Sequence, residues 1–209
     1  MANPDARFGL KPVRHLNGNP WNGGTMRCYI PAAYDTAAMF VGDPVVLEPL
    51  AASRVAGIKC PQVQRAAGTT TTYIFGVITS FEPDQDDLSL KYRVNSTARY
   101  CNVCVDPDVI YWIRDNADAY GDEDDIGGNA DGIFTHGGST TTGLSGFELD
   151  QSSIGEDAAD AFFIIGVADV EDNLFNCTSD TNTIWEVLIN MHQLRATGDA
   201  SGALGVVGA

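Results

Sequence analysis

Hydrophobic and polar positions alternate with a period of two along most of this chain, and the alternation is cleanest near its end. Phe162-Phe163-Ile164-Ile165-Gly166-Val167-Ala168 and the run from Ile184 to His192 are the two stretches richest in β-branched and aromatic residues, and both have strand length. In the second, Trp185, Val187, Ile189 and Met191 fall on one side, and Glu186, Leu188, Asn190 and His192 on the other, as a strand with one buried face requires. Residues 169–183 between them are rich in Asp, Asn and Thr, which is turn and loop chemistry. The pattern predicts a pair of core strands joined by a long loop.

Shorter runs of the same kind occupy residues 27–30, 38–41, 45–47, 55–58, 63–66, 73–81, 90–94, 99–105 and 109–114, with brief ones at 133–134 and 146–150. Gly42-Asp43-Pro44 reads as a turn with Pro44 opening a strand, where its missing N–H does no harm. No segment has a convincing helical period; residues 152–160, with Ser152 and Ser153 ahead of Glu156 and Asp157, have helix-start character for one turn. The predicted fold is all-β, an antiparallel barrel or sandwich with long loops and little helix.

Three regions follow. Residues 1–24 mix Pro4, Gly9, Pro12, Gly18, Pro20, Gly23 and Gly24 with Phe8, Leu10, Val13, Leu16 and Trp21. That punctuation reads as an extended N-terminal arm laid on its own body or on a neighbouring subunit. Residues 25–195 form the β-rich domain, as one unit or as two packed subdomains dividing near 115–132. Residues 196–209 are a Gly- and Ala-rich C-terminal tail.

Charge narrows the function. With 28 Asp and Glu against 12 Lys and Arg, the net charge of −16 repels a phosphate backbone and argues against nucleic acid as a partner. No apolar run approaches the roughly 20 residues of a membrane span, and the first residues lack a secretory apolar segment, so a protein made and used in soluble form is expected. An odd count of five scattered cysteines is not a disulfide framework.

The chemical motifs are weak. Cys101 and Cys104 have CxxC spacing, but inside an alternating strand they point to opposite faces, which suits neither a metal nor a redox pair. The acidic, glycine-rich loop 115–131 offers carboxylates for Ca²⁺, yet counted from Asp122 it fails the EF-hand pattern. Gly143-Leu144-Ser145-Gly146-Phe147 approaches a nucleophile elbow, with Phe147 where the second glycine belongs. The three histidines, His15, His136 and His192, are far apart in sequence. No catalytic residue, cofactor or metal is indicated.

Several longer segments carry a resemblance. Phe8-Gly-Leu-Lys-Pro-Val-Arg-His-Leu16, Phe40-Val-Gly-Asp-Pro-Val-Val-Leu47, Phe75-Gly-Val-Ile78, Arg99-Tyr100, Asp106-Pro-Asp-Val109, Thr141-Thr-Gly-Leu-Ser-Gly-Phe-Glu-Leu-Asp150, Ile165-Gly166, Asp172-Asn173 and Val187-Leu-Ile-Asn-Met-His192 resemble virion structural proteins of tailed bacteriophages, the capsid decoration (cement) proteins. The resemblance implies a β-rich, non-enzymatic protein that sits on the outer capsid surface of the virion and locks neighbouring capsomers. Its implied partners are the major capsid protein and further copies of itself, as a dimer or trimer. Phe8, Leu10, Val13 and Trp21 in the arm and Leu204, Val206 and Val207 in the tail are the candidate interface residues. A major tail or head-tail joining protein is the alternative within that class. From another class stand a Ca²⁺-dependent carbohydrate-binding module using loop 115–131 with Tyr120, and a hydrolase centred on Ser145 and His136.

Overall fold

A computed structural model describes residues 3–33, 37–48, 54–70, 72–175 and 181–195. The expected all-β class is realised as two five-stranded antiparallel sheets packed as a sandwich, not as a closed barrel. The only helical pieces among the described residues are two 3-10 turns, and no helix is long and apolar enough to cross a membrane.

The first sheet has the order β1 (Lys11–His15), β7 (Val109–Arg114), β12 (Ile184–Ile189), β11 (Phe162–Val167), β8 (Asn129–Ala130). The two densest apolar runs are indeed adjacent, with Ile164 opposite Val187 and Phe162 opposite Ile189. On the far side of β12, Trp185 pairs with Ile113 and Val187 with Tyr111. Period-two alternation then turns Trp185, Val187, Ile189, Tyr111, Ile113, Phe162 and Ile164 to one side, and all are buried in one cluster.

The second sheet runs β2 (Met26–Ile30), β6 (Arg99–Cys104), β5 (Gly76–Phe81), β3 (Pro44–Leu47), β4 (Val63–Arg65). Val77 and Cys104 from one of its faces join the cluster between the sheets, and Tyr111 Oη donates to Cys104 Sγ at 3.3 Å across the interface. The other face carries Cys28, Ile30, Val45, Val63, Ile78, Cys101 and Val103, which form a second buried cluster. The sheet curls around that cluster until its edges meet, Tyr29 N donating to Pro61 O at 2.9 Å beside a single parallel bridge from Tyr29 to Gln62. Cys101 and Cys104 thus belong to different cores, as their odd spacing predicts.

A short ribbon of β9 (Gly132–Ile133) and β10 (Glu148–Leu149) closes one side of the main cluster. Its Phe147 ring lies against Phe134 at 4.7 Å and Phe162 at 5.9 Å between centroids. The ring fits because Gly68 and Gly132 flank it; a Cβ on Gly132 would come within 2.0 Å of it.

Three sequence expectations bear on this architecture. Of the stretch 1–24, expected as an extended arm laid on its own body or on a neighbouring subunit, residues 11–15 are laid on its own body as β1, the edge strand of the first sheet, which pairs with β7 through a bulge between Pro12 and Arg14. Proline is tolerated there because edge strands and bulges need no complete ladder. A division near 115–132 would cut the first sheet between β7 and β12. The runs 55–58 and 90–94 are irregular; in the second, the Arg93 side chain is fully buried and donates to the carbonyls of Pro31, Ala37 and Thr97.

His192 is wholly buried, its Nδ1 accepting from Leu194 N at 3.0 Å, and burial together with Arg195 lowers its pKa to about 4. The unfolded chain takes up that proton near its ordinary value of about 6.5, so this stabilising contribution is complete above that pH and is lost as pH falls toward the folded value. Asp115, whose pKa burial raises, acts in the opposite sense, adding stability at low pH and losing it as pH rises. Urea unfolding of the wild type and of His192→Gln between neutral pH and about 4 separates the two. The wild type should lose roughly 3 kcal/mol more over that range, and parallel pH curves would show that His192 contributes nothing.

Candidate functional site

Four of the segments quoted from the sequence, those containing Phe8, Val41, Ile78 and Leu144, come together at one place. Residues 8–10 cross the turn that precedes β3, with Leu10 N donating to Gly42 O at 3.0 Å. The backbones touch because both residues at the crossing are glycines with positive φ, Gly9 at 70° and Gly42 at 97°. A Cβ on Gly9 would lie 2.6 Å from Ser145 Cβ and 2.7 Å from Gly42 O, and one on Gly42 would lie 2.5 Å from Phe8 O. No other residue fits either position without moving backbone.

Beside the crossing, Val41 and Leu144 form a parallel bridge, with Ser145 N donating to Val41 O at 2.8 Å and Val41 N to Gly143 O at 2.9 Å. The buried Ser145 hydroxyl donates to Asp43 and accepts from Phe147 N at 2.9 Å, while Asp43 also accepts from Phe40 N at 2.9 Å. The elbow-like motif is therefore a clasp. Its serine is held by a carboxylate and a backbone amide, and His136 is engaged elsewhere through Nδ1 with Glu148 Oε2 at 2.9 Å.

Glu148 is the centre of a charge network that the sequence did not announce. It is fully buried, yet it meets Arg114, Arg7 at 3.1 Å and His136. Arg114, itself 2% exposed, also reaches Asp5, and that hydrogen bond, outweighing desolvation, keeps the Asp5 carboxyl below its usual range. The network ties residues 5–7 to β7 and β10. Asn3 extends the attachment, donating to Leu174 O and Thr181 O and accepting from Leu174 N at 2.6 Å. The sequence clue was Arg114, a lone charge closing the apolar run 109–114.

An apolar groove of about 530 Å³ opens next to the clasp. Phe8, Leu10, Pro12 and Trp21 line it from the N-terminal stretch, and Val41, Ile78, Trp112, Leu144 and Ile184 from the body. Lys11 stands at its rim with Nζ 5.3 Å from the Trp112 ring centroid. Of the candidate interface residues, Phe8 and Trp21 are half-buried in this wall, whereas Leu10 is 2% exposed inside the chain's own core and offers a partner little surface. Val13 is half-buried in β1 and does not line the groove. Leu204, Val206 and Val207 lie outside the described residues.

The acidic loop has its own internal chemistry. Asp115 is completely buried and accepts from Thr183 N at 3.0 Å, Trp185 Nε1 at 3.3 Å and Ala117 N at 3.0 Å. Asp122 caps the 3-10 turn Glu123–Asp125, and Asp125 accepts in return from Asp122 N at 2.7 Å and from Gln151 Nε2 at 3.0 Å. Asp131 accepts from Thr70 Oγ1 at 2.6 Å. These carboxylates hold the loop's shape, and Tyr120 stands 52% exposed on it. Among the described residues no group of three or more His, Cys, Asp or Glu is placed to hold a metal ion.

Comparison with family models, with curated proteins and with solved structures finds no match.

Two substitutions test the clasp. Gly9→Ala forces a side chain into a left-handed backbone against Ser145 and Gly42 and should cost about 3 kcal/mol in denaturant unfolding. Ser145→Ala removes a donor from the buried Asp43 and should cost about 1–3 kcal/mol; unchanged stability would show that the clasp carries no load.

Proposed function

We propose that this protein is a non-enzymatic virion component that decorates the outer surface of a tailed-phage capsid, bound to the major capsid protein and stabilising contacts between capsomers. One observation carries the reading. Four of the segments that resemble decoration proteins, those containing Phe8, Val41, Ile78 and Leu144, converge to build the walls of a single apolar groove. An apolar, aromatic-walled recess with a charged rim is the form that a protein-protein anchor site takes.

The electrostatics support an outward position. A net charge of −16 suits a shell's exterior better than the face against packaged DNA. The side chains flagged for hydrolysis also have structural duties, Ser145 in the clasp and His136 on Glu148. Copies of the chain clustered at capsomer junctions would bury further surface between them.

The test uses heads that lack the protein. Full-length chain added to purified heads should bind in a regular array visible by cryo-electron microscopy, and Phe8→Ser, which keeps the clasp glycines, should lower occupancy about tenfold at matched concentration. A second substitution at the rim, Lys11→Glu, controls for folding, with thermal unfolding read in parallel. Equal occupancy by wild type and both folded variants would remove the groove as the attachment site.

A further inference from the structure

We propose that the groove receives a second copy of this chain: the turn that carries Leu88 on one molecule enters the groove of another, with its Asp86 carboxylate against Lys11. The inference deepens the reading above, and rests on it in taking the groove as an anchor site for protein, by naming a neighbouring copy as the partner seated there.

Leu88, at 82% exposed, is the most exposed large apolar side chain among the described residues, and the chain around it is built to hold it out. Asp84 Oδ1 accepts from Asp86 N at 2.9 Å and Asp87 N at 3.3 Å, and Asp87 Oδ1 accepts from Ser89 N at 2.9 Å and Ser89 Oγ at 2.6 Å. Turns closed by their own side chains fix the tip of the loop. At its base the buried Arg99 guanidinium donates to the carbonyls of Glu82, Leu90 and Tyr92, so both feet of the loop are tied to one side chain. Withdrawing the leucine from water is favourable, and a turn fixed beforehand loses little freedom on docking.

The two surfaces match in charge. Lys11 is the one charged side chain lining the groove; it is exposed, and among the described residues it has no carboxylate partner, its ammonium lying over the Trp112 ring instead. By contrast Arg7, Arg14, Arg27, Arg114 and Arg195 are each paired with an acid. On the loop, Asp86 is exposed two residues from Leu88, and its carboxylate has no partner among the described residues. An uncommitted cation beside apolar walls thus faces an uncommitted carboxylate beside an apolar tip.

The loop also rises at the border of its own groove. Thr79 of the groove wall and Phe81 at one foot of the loop lie two residues apart on β5. At the other foot Lys91 packs on Gly143, where a Cβ would lie 2.6 Å from the Lys91 Cβ, next to Leu144 of the wall. With projection and recess side by side, two copies can exchange loops about a two-fold axis, and each contact is made twice.

The test uses full-length protein without heads, at physiological salt, where the repulsion between two chains of net charge −16 is screened beyond about 8 Å. Sedimentation over a rising concentration series should show a pair. Leu88→Ser, which removes a side chain that is mostly in solvent, should weaken pairing at least about tenfold with an unchanged thermal midpoint. Lys11→Glu should also weaken it, and adding Asp86→Lys to that variant should restore it. With p-benzoylphenylalanine in place of Leu88, irradiation should crosslink two copies at Phe8, Trp112 or Leu144. A chain that stays monomeric throughout, pairing undiminished by Leu88→Ser, or crosslinks confined to other surfaces would overturn the inference. Heads separate it from the capsid reading: loop-dependent pairing in a protein that never binds heads keeps the contact and removes the capsid reading, and head binding by a protein that never pairs does the reverse.

Discussion

The architecture depends on one close approach, the crossing of Gly9 over Gly42. Two left-handed glycines let the N-terminal stretch pass within contact of the turn before β3, and this contact fixes three things together. It sets the point at which β1 enters the first sheet, it seats Leu10 in the core between the sheets, and it aligns Phe8 with Leu144 along the groove. Replacing either hydrogen by a methyl would force backbone apart at all three. The Ser145 to Asp43 hydrogen bond backs the crossing from beneath, so a polar pair inside the core serves as a spacer whose length is set by chemistry.

Strand content was legible because it rests on period-two burial. The partner strands β11 and β12 stood out, with Trp185, Val187 and Ile189 turned inward as their spacing requires. Pro44 opening β3 and the opposed faces of Cys101 and Cys104 followed from equally local rules. A helix-like turn was expected within residues 152–160; one lies at Gln151–Ser153, and Asp150, two residues before the first of the expected serines, caps it.

What escaped was everything set by long-range partners. Residues 11–15 looked like part of an arm because prolines and glycines surround them, but an edge strand with a bulge accommodates Pro12, and pairing with β7 decides the matter. Residues 90–94 alternate convincingly, yet Arg93 finds three carbonyls on other segments and the chain bends to bring it there. The union of Glu148 with Arg114, Arg7 and His136 brings together positions up to 141 residues apart, which no spacing rule connects. The internal duties of the acidic loop were equally beyond spacing rules, since Asp115 and Asp125 spend their charge on backbone and side-chain donors of their own chain.

The treatment of the sheet borders has a consequence for how copies of this molecule can coexist. The outer side of β1 is taken by residues 19–21, through His15 N to Asn19 O at 2.8 Å and Trp21 N to Val13 O at 3.1 Å, and that of β8 by Gly155, while the borders of the second sheet touch each other. Among the described residues each of these borders thus has part of its ladder already occupied, which leaves a newcomer less edge on which to extend the sheets. Strand addition by another copy is thereby discouraged, and contact between copies is left to side chains.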